Sequence, residues 1–218
     1  IALFCNVPSS HVLQNLDVEY LYEAPLAMEQ ERLAQVACEC LHLDCPQPDL
    51  SDWTAMVDAL RHPTRDVTVA LVGKYTQLHD AYISVVEALK HGGIAQRSTV
   101  SIRWIDSETV TEENVHEMLA GADGILVPGG FGDRGIEGMI SAIRYAREHQ
   151  IPFLGLCLGM QLSIVEYARH VLGYADAHSI ELDPGTTHPV ISLMPDQNGV
   201  EDIGGTLRLG SYPCVLHE

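Results

Sequence analysis

Residues 153–162 read FLGLCLGMQL and carry one thiol, Cys157, with Gly155 two positions before it and Gly159 two positions after. A nucleophile between a strand and a helix sits on a tight turn, and small neighbours let the chain fold back on itself. Such a turn lifts the side chain over the sheet edge. The helix that follows points its positive N-terminus at the sulfur, which favours thiolate. Its free N–H, from Leu158, can receive a developing oxyanion. The same residues also suit a buried thiol among helix-packing glycines. A second stretch, PGGFGDRG at 128–135, follows an apolar strand and exposes backbone N–H groups. If that strand neighbours the one before Cys157, Gly130 is the candidate second oxyanion donor. The spacing of this stretch matches neither a phosphate loop nor a dinucleotide fingerprint. Gln161 lies one helical turn after Cys157, placed either to bind a polar substrate or to stand as a surface amide.

The elements that must position these groups are legible from pattern. From Val67 onward, apolar strands alternate with amphipathic helices. VTVALVG (67–73), TVSIRWID (99–106), DGILVPGG (123–130) and IPFLGLC (151–157) read as strands. Between and after them come a helix from Asp80 ended by Gly92-Gly93, and one over 111–121 capped by Thr111 and closed at Gly121. Two more cover 136–149 and 158–173. Strands apolar throughout, alternating with helices, imply a parallel sheet covered on both faces. The expected fold is α/β: a doubly wound, flavodoxin-like, mostly parallel sheet, with a short, mainly helical N-terminal segment. In that segment Ile1–Cys5 reads as a strand. A helix is expected within 24–43 and another in DLSDWTAMVDALRH (49–62), with Ser51 as N-cap. After Gly173, short strands are expected in HPVISLM (188–194) and GGTLRLG (204–210), with a turn at PDQNG (195–199). Open sheets of this kind place their sites at the carboxyl ends of strands, where GKY (73–75), PGGFGDRG and GLCLGMQ fall.

The 218-residue chain is 46% hydrophobic, enough for a substantial core, and carries 12 Lys+Arg against 30 Asp+Glu, a formal charge of −18. That surface disfavours nucleic acid and anionic membranes as partners. No run of about 18 apolar residues suggests a spanning helix. The start, IALFCNVP, lacks Met and a basic n-region, and reads as the interior of a longer protein rather than a signal peptide. Six cysteines without a secretory signal read as cytosolic thiols. In CECLHLDC, Cys38, His42 and Cys45 would share a helical face, but no second knuckle follows, so ordinary packing is expected rather than a metal site.

GLCLGMQ with the upstream PGGFG resembles the nucleophile elbow and oxyanion loop of class I glutamine amidotransferases. The longer string VPGGFGDRGIEGMISAIRYARE (127–148) is similar to one branch, the glutaminase domain of the CTP synthase family, as are VALVGKY, DAYISVVEALKHGG, YARHVLG and GGTLRLG. FCNVP, DVEYLYEAP and LSDW resemble the end of that family's ligase domain and its linker, so the resemblance spans essentially the whole chain. It implies residues 1–65 as ligase end and linker, and 66–218 as an amidotransferase domain truncated at its C-terminus. It implies that Cys157 attacks the glutamine side-chain amide, releasing ammonia through a thioester, with Gly130 and Leu158 at the oxyanion. Gly159, Met160, Gln161 and Glu181, the last in DAHSIEL, would bind glutamine. Ammonia would pass to a ligase site where UTP is aminated with ATP and Mg²⁺. GTP would act as allosteric effector near Lys74, Tyr75, Arg134 and Arg208. No cofactor is expected within this chain. The resemblance further implies a cytoplasmic homotetramer, filament-forming in some members.

The family's His-x-Glu segment, which supplies the base and its orienting acid, has no match. His217-Glu218 lacks the spacer, and His188-Pro189 has no following Glu. The chain by itself is therefore expected to hydrolyse glutamine barely, if at all. A second reading is a catalytically incomplete fragment serving as a glutamine-binding or regulatory module. A third, another cysteine hydrolase on a similar sheet, leaves PGGFGDRGIEG and the first 65 residues unexplained.

Overall fold

A computed structural model describes residues 1–193. The described chain divides into two compact units, one of Ile1–Val67 with Ser84–Ser101, the other of Thr68–Ile83 with the described residues from Ile102 on.

The first unit is mainly helical, with α1 (Ala2–Cys5), α2 (Ala24–Gln30), α3 (Leu33–Leu41) and α4 (Ser51–Arg61). Ile1–Cys5, expected as a strand, is a single helical turn closed by Asn6 at φ 53. Five apolar residues carry no period that separates strand from helix. The helix expected within 24–43 is two helices, because Arg32 takes a left-handed φ of 65 between them. Ser51 is the first residue of α4 rather than its cap; its N–H is received by the Asp49 carboxylate at 3.0 Å. Helix α5 (Ile83–Ala95) runs through Gly92-Gly93 instead of ending there. A Cβ at Gly93 would stand 2.7 Å from the Ser98 carbonyl oxygen, so that glycine serves close packing. The reversal falls at Arg97, φ 48.

The second unit holds most of the four-stranded sheet. Its strands are β1 (Arg65–Gly73), β2 (Ser98–Asp106), β3 (Gly124–Val127) and β4 (Phe153–Gly155), in the order β2-β1-β3-β4. The β1–β3 and β3–β4 pairs are parallel, with Leu71 opposite Leu126 and Val127 opposite Gly155. This is the doubly wound, flavodoxin-like order. Ala70, Val72, Ile125 and Val127 on the central strands are buried with Met139 and Ile143 of α7 (Ile136–Glu148) and Leu162 and Val165 of α8 (Leu158–His170). Burial on both faces explains why these strands read as continuous apolar runs. The helix expected from Asp80 begins later, after a 3₁₀ turn at His79–Tyr82. That turn buries Tyr82, whose hydroxyl receives the Lys74 N–H at 3.2 Å. The helix expected over 111–121 shrinks to α6 (Val115–Leu119), with the Thr111 hydroxyl receiving the Asn114 N–H at 3.3 Å. Beyond α8, β5 (His178–Ser179) pairs with β6 (Pro189–Ile191) in parallel. GGTLRLG and PDQNG lie outside the described residues.

Candidate functional site

Cys157 joins β4 to α8 at φ 50 and ψ −104, a backbone conformation that non-glycine residues rarely adopt. Such strain costs about 1–3 kcal/mol and persists only where the surroundings enforce it. Here they do: the Leu156 N–H donates to the Val127 carbonyl at 2.9 Å on one side, and the Gln161 N–H to the Cys157 carbonyl at 3.0 Å on the other. The thiol is exposed at the N-terminus of α8.

Because β3 and β4 are neighbours, the glycine loop lies against this elbow. A Cβ at Gly129 would stand 3.4 Å from the Cys157 Cβ, and one at Gly130 would stand 3.6 Å from Leu158 Cδ2. Cys157, Gly130, Leu158, Gln161 and Glu181 together line a small hollow of about 80 Å³, completed by Phe131, Gly132 and Leu182. The arrangement offers a thiol, an adjacent helix N-terminus, a glycine loop, an amide and a carboxylate. Among the described residues they supply a nucleophile, an oxyanion site and two polar groups for a small substrate, but no general base. Of the residues expected in the glutamine pocket, Gly159 and Met160 do not line the hollow. Gly159 presses on the Val127 carbonyl, and Met160 is half exposed. Phe131, Gly132 and Leu182 were not singled out from the sequence. The first two lie inside the glycine motif, while Leu182 carries no signal beyond its position after Glu181.

The expected effector residues divide. Lys74 is buried, and its ammonium donates to the Phe131 carbonyl at 2.9 Å and to the Gly132 carbonyl. Burial pushes its pKa below the usual lysine range, opposed by the nearby Asp133 carboxylate. Arg134 is exposed, pairs with Glu108 at 3.1 Å and donates to the Lys74 carbonyl at 3.4 Å. Tyr75 is partly exposed beside Tyr82. Arg208 lies outside the described residues, as do His217 and Glu218.

Among the described residues no histidine lines the hollow. His188 is engaged elsewhere, donating from Nδ1 to Asp176 at 2.5 Å and stacking on Tyr174. In the first unit, α3 stops at Leu41 and His42 turns left-handed, so Cys38, His42 and Cys45 do not continue along one helix. Burial and the adjacent Cys45 thiol raise the Cys38 pKa. Among the described residues no group of three or more His, Cys, Asp or Glu side chains is arranged to hold a metal ion, and no helix is long and apolar enough to cross a membrane.

Comparison with known proteins places the chain in a family. The family described as glutamine amidotransferase class-I matches residues 77–218. CTP synthase of Clostridium perfringens strain 13 is 58% identical over 218 residues, covering all of this chain and 41% of the relative. CTP synthase of Geobacillus kaustophilus is 55% identical over the same share of each. The chain thus spans about two fifths of the length of the curated relatives it matches. Among solved structures, the glutaminase domain of Trypanosoma brucei CTPS with bound acivicin superimposes with a TM-score of 0.57 at 40% identity, over 60% of this chain and 51% of that one. With its thiol elbow beside a glycine loop on a flavodoxin-like sheet, the chain belongs to the class I glutamine amidotransferase family.

Proposed function

We propose that this chain is the glutamine-hydrolysing part of a CTP synthase. The observation that carries the reading is the convergence of Cys157, Gly130, Leu158, Gln161 and Glu181 on one hollow at the carboxyl ends of β3 and β4. Cys157 attacks the side-chain amide carbon of glutamine. The tetrahedral oxyanion is received by the N–H groups of Gly130 and Leu158, ammonia leaves, and water hydrolyses the glutamyl thioester. Glu181 holds the α-ammonium of glutamine and Gln161 a second polar group. A His-x-Glu pair supplied with the intact protein moves the protons.

Residues 1–65 then form the end of a ligase domain and its linker. The released ammonia would pass to the rest of that domain, outside this chain, where UTP is aminated with ATP and Mg²⁺, and GTP acts as effector in the region of Lys74, Tyr75, Arg134 and Arg208. The intact protein would be a cytoplasmic homotetramer. Similarity to CTP synthases over the whole of this chain and 41% of the relatives' length supports this placement.

The test uses the intact gene product. Acivicin or 6-diazo-5-oxonorleucine should label Cys157, located by peptide mass mapping, and Cys157→Ala should abolish both labelling and ammonia release. Undiminished labelling in that variant would overturn the assignment. Glu181→Ala should raise the glutamine KM at least about tenfold, the cost of an unpaired charged hydrogen bond. Unchanged KM would remove Glu181 from the pocket.

A further inference from the structure

We infer that Lys74 is a positioning residue for the oxyanion loop, holding the Gly129–Gly132 backbone in its receiving conformation. The inference rests on the amidotransferase reading and assigns Lys74 work distinct from contact with an effector. Lys74 directly follows the end of β1 and is 5% exposed. Its ammonium donates to two successive loop carbonyls, those of Phe131 and Gly132. Its stem lies along the loop as well, since a Cβ on Gly130 would meet Lys74 Cδ at 3.5 Å and Leu158 Cδ2 at 3.6 Å. Gly130 is therefore packed against both the lysine stem and the elbow helix.

The loop needs such a hold. Gly129, Gly130 and Gly132 have no side chains to restrict them, and Gly132 adopts φ 75. A peptide plane in such a run can turn over at little steric cost. A turn of the plane that carries the Gly130 N–H would replace a donor with a carbonyl oxygen facing the oxyanion. Fixing the carbonyls of Phe131 and Gly132 restrains the planes that follow it. Packing against Cys157 and Leu158 restrains those before it. Lys74 is itself anchored at both backbone atoms, its N–H donating to the Tyr82 hydroxyl and its carbonyl accepting from Arg134.

The experiment measures glutamine hydrolysis by the intact gene product and its Lys74→Met variant, alongside alkylation of Cys157 by iodoacetamide, a reaction that builds no oxyanion. Lys74→Met should lower kcat about ten- to a hundredfold, with KM changed less than about threefold and the alkylation rate unchanged. Gly132→Ala perturbs the same hold from the loop side at a position where a Cβ meets nothing within 4 Å. It should lower kcat similarly, and the double variant should be no worse than the worse single. Wild-type kcat in Lys74→Met would overturn the inference. So would a kcat loss matched by an equal loss of alkylation, or fully additive losses in the double variant. Failure of the wild-type protein to release ammonia from glutamine would instead overturn the amidotransferase reading beneath it.

Discussion

Gly155 and Gly159 face each other backbone to backbone beneath the turn that carries Cys157: a Cβ on Gly155 would stand 2.5 Å from the Gly159 carbonyl carbon. The closeness of β4 to the first turn of α8 accompanies the positive φ at Cys157, and the thiol is exposed rather than in the core.

Gly155→Ala must push α8 from β4. Overpacking of this kind costs about 1–3 kcal/mol. The denaturant midpoint should fall accordingly, and acivicin labelling of Cys157 should slow as the elbow opens. A variant with wild-type midpoint and labelling would show that the contact yields without consequence.

Strain at Cys157 makes a second prediction. Its φ of 50 with ψ −104 is open to glycine but costly for a side chain. Both Cys157→Gly and Cys157→Ala should be inactive, yet the glycine variant should be the more stable by about 1 kcal/mol, after the entropy it adds to the unfolded chain. Thermal unfolding compares the two directly, and equal stability would remove the strain.

On α8, Glu166 is 1% exposed, and its carboxylate receives Arg147 Nε of α7 at 3.1 Å and a terminal guanidinium nitrogen at 2.8 Å, while His170 Nδ1 bonds the Glu166 backbone carbonyl at 3.1 Å. Arg147→Met strands a buried carboxylate and should cost about 3 kcal/mol. Arg147→Met with Glu166→Met should regain most of that loss, because an apolar pair carries no desolvation penalty. A double variant no better than the single would mean the pair matters for packing rather than charge.

The segment between α8 and β6 is tied by Asp176, whose carboxylate receives the Thr187 N–H at 2.7 Å and the Thr187 hydroxyl at 2.6 Å besides His188. These donors, the Thr187 hydroxyl foremost, hold its pKa well below the ordinary 3.8. A lowered folded-state pKa stabilises above the unfolded value and loses that effect as pH falls through the folded one. The Tm advantage of wild type over Asp176→Asn should therefore be full above about pH 5 and shrink as pH drops below the ordinary carboxylate range. An advantage independent of pH down to strong acid would contradict this.

The sequence by itself determined the α/β alternation, the presence of each strand of the four-stranded sheet and the identity of the elbow and glycine loop, but not β5. These depend on local facts: an apolar run long enough to be buried on both faces, a helical period, and glycines at fixed offsets from one thiol. Glu181 was reachable only by resemblance, since nothing local distinguishes it from other acidic residues. Tertiary structure decided what depends on neighbours distant in sequence. Gly93 reads as a helix stop but serves a close approach to Ser98, and Ile1–Cys5 reads as a strand but closes as a helical turn. Lys74 reads as a loop cation, yet the pairing of β1 with β3 buries its ammonium under carbonyls 57 and 58 residues away. No pattern within a strand or helix encodes such a partner; only the packed sheet brings the two together.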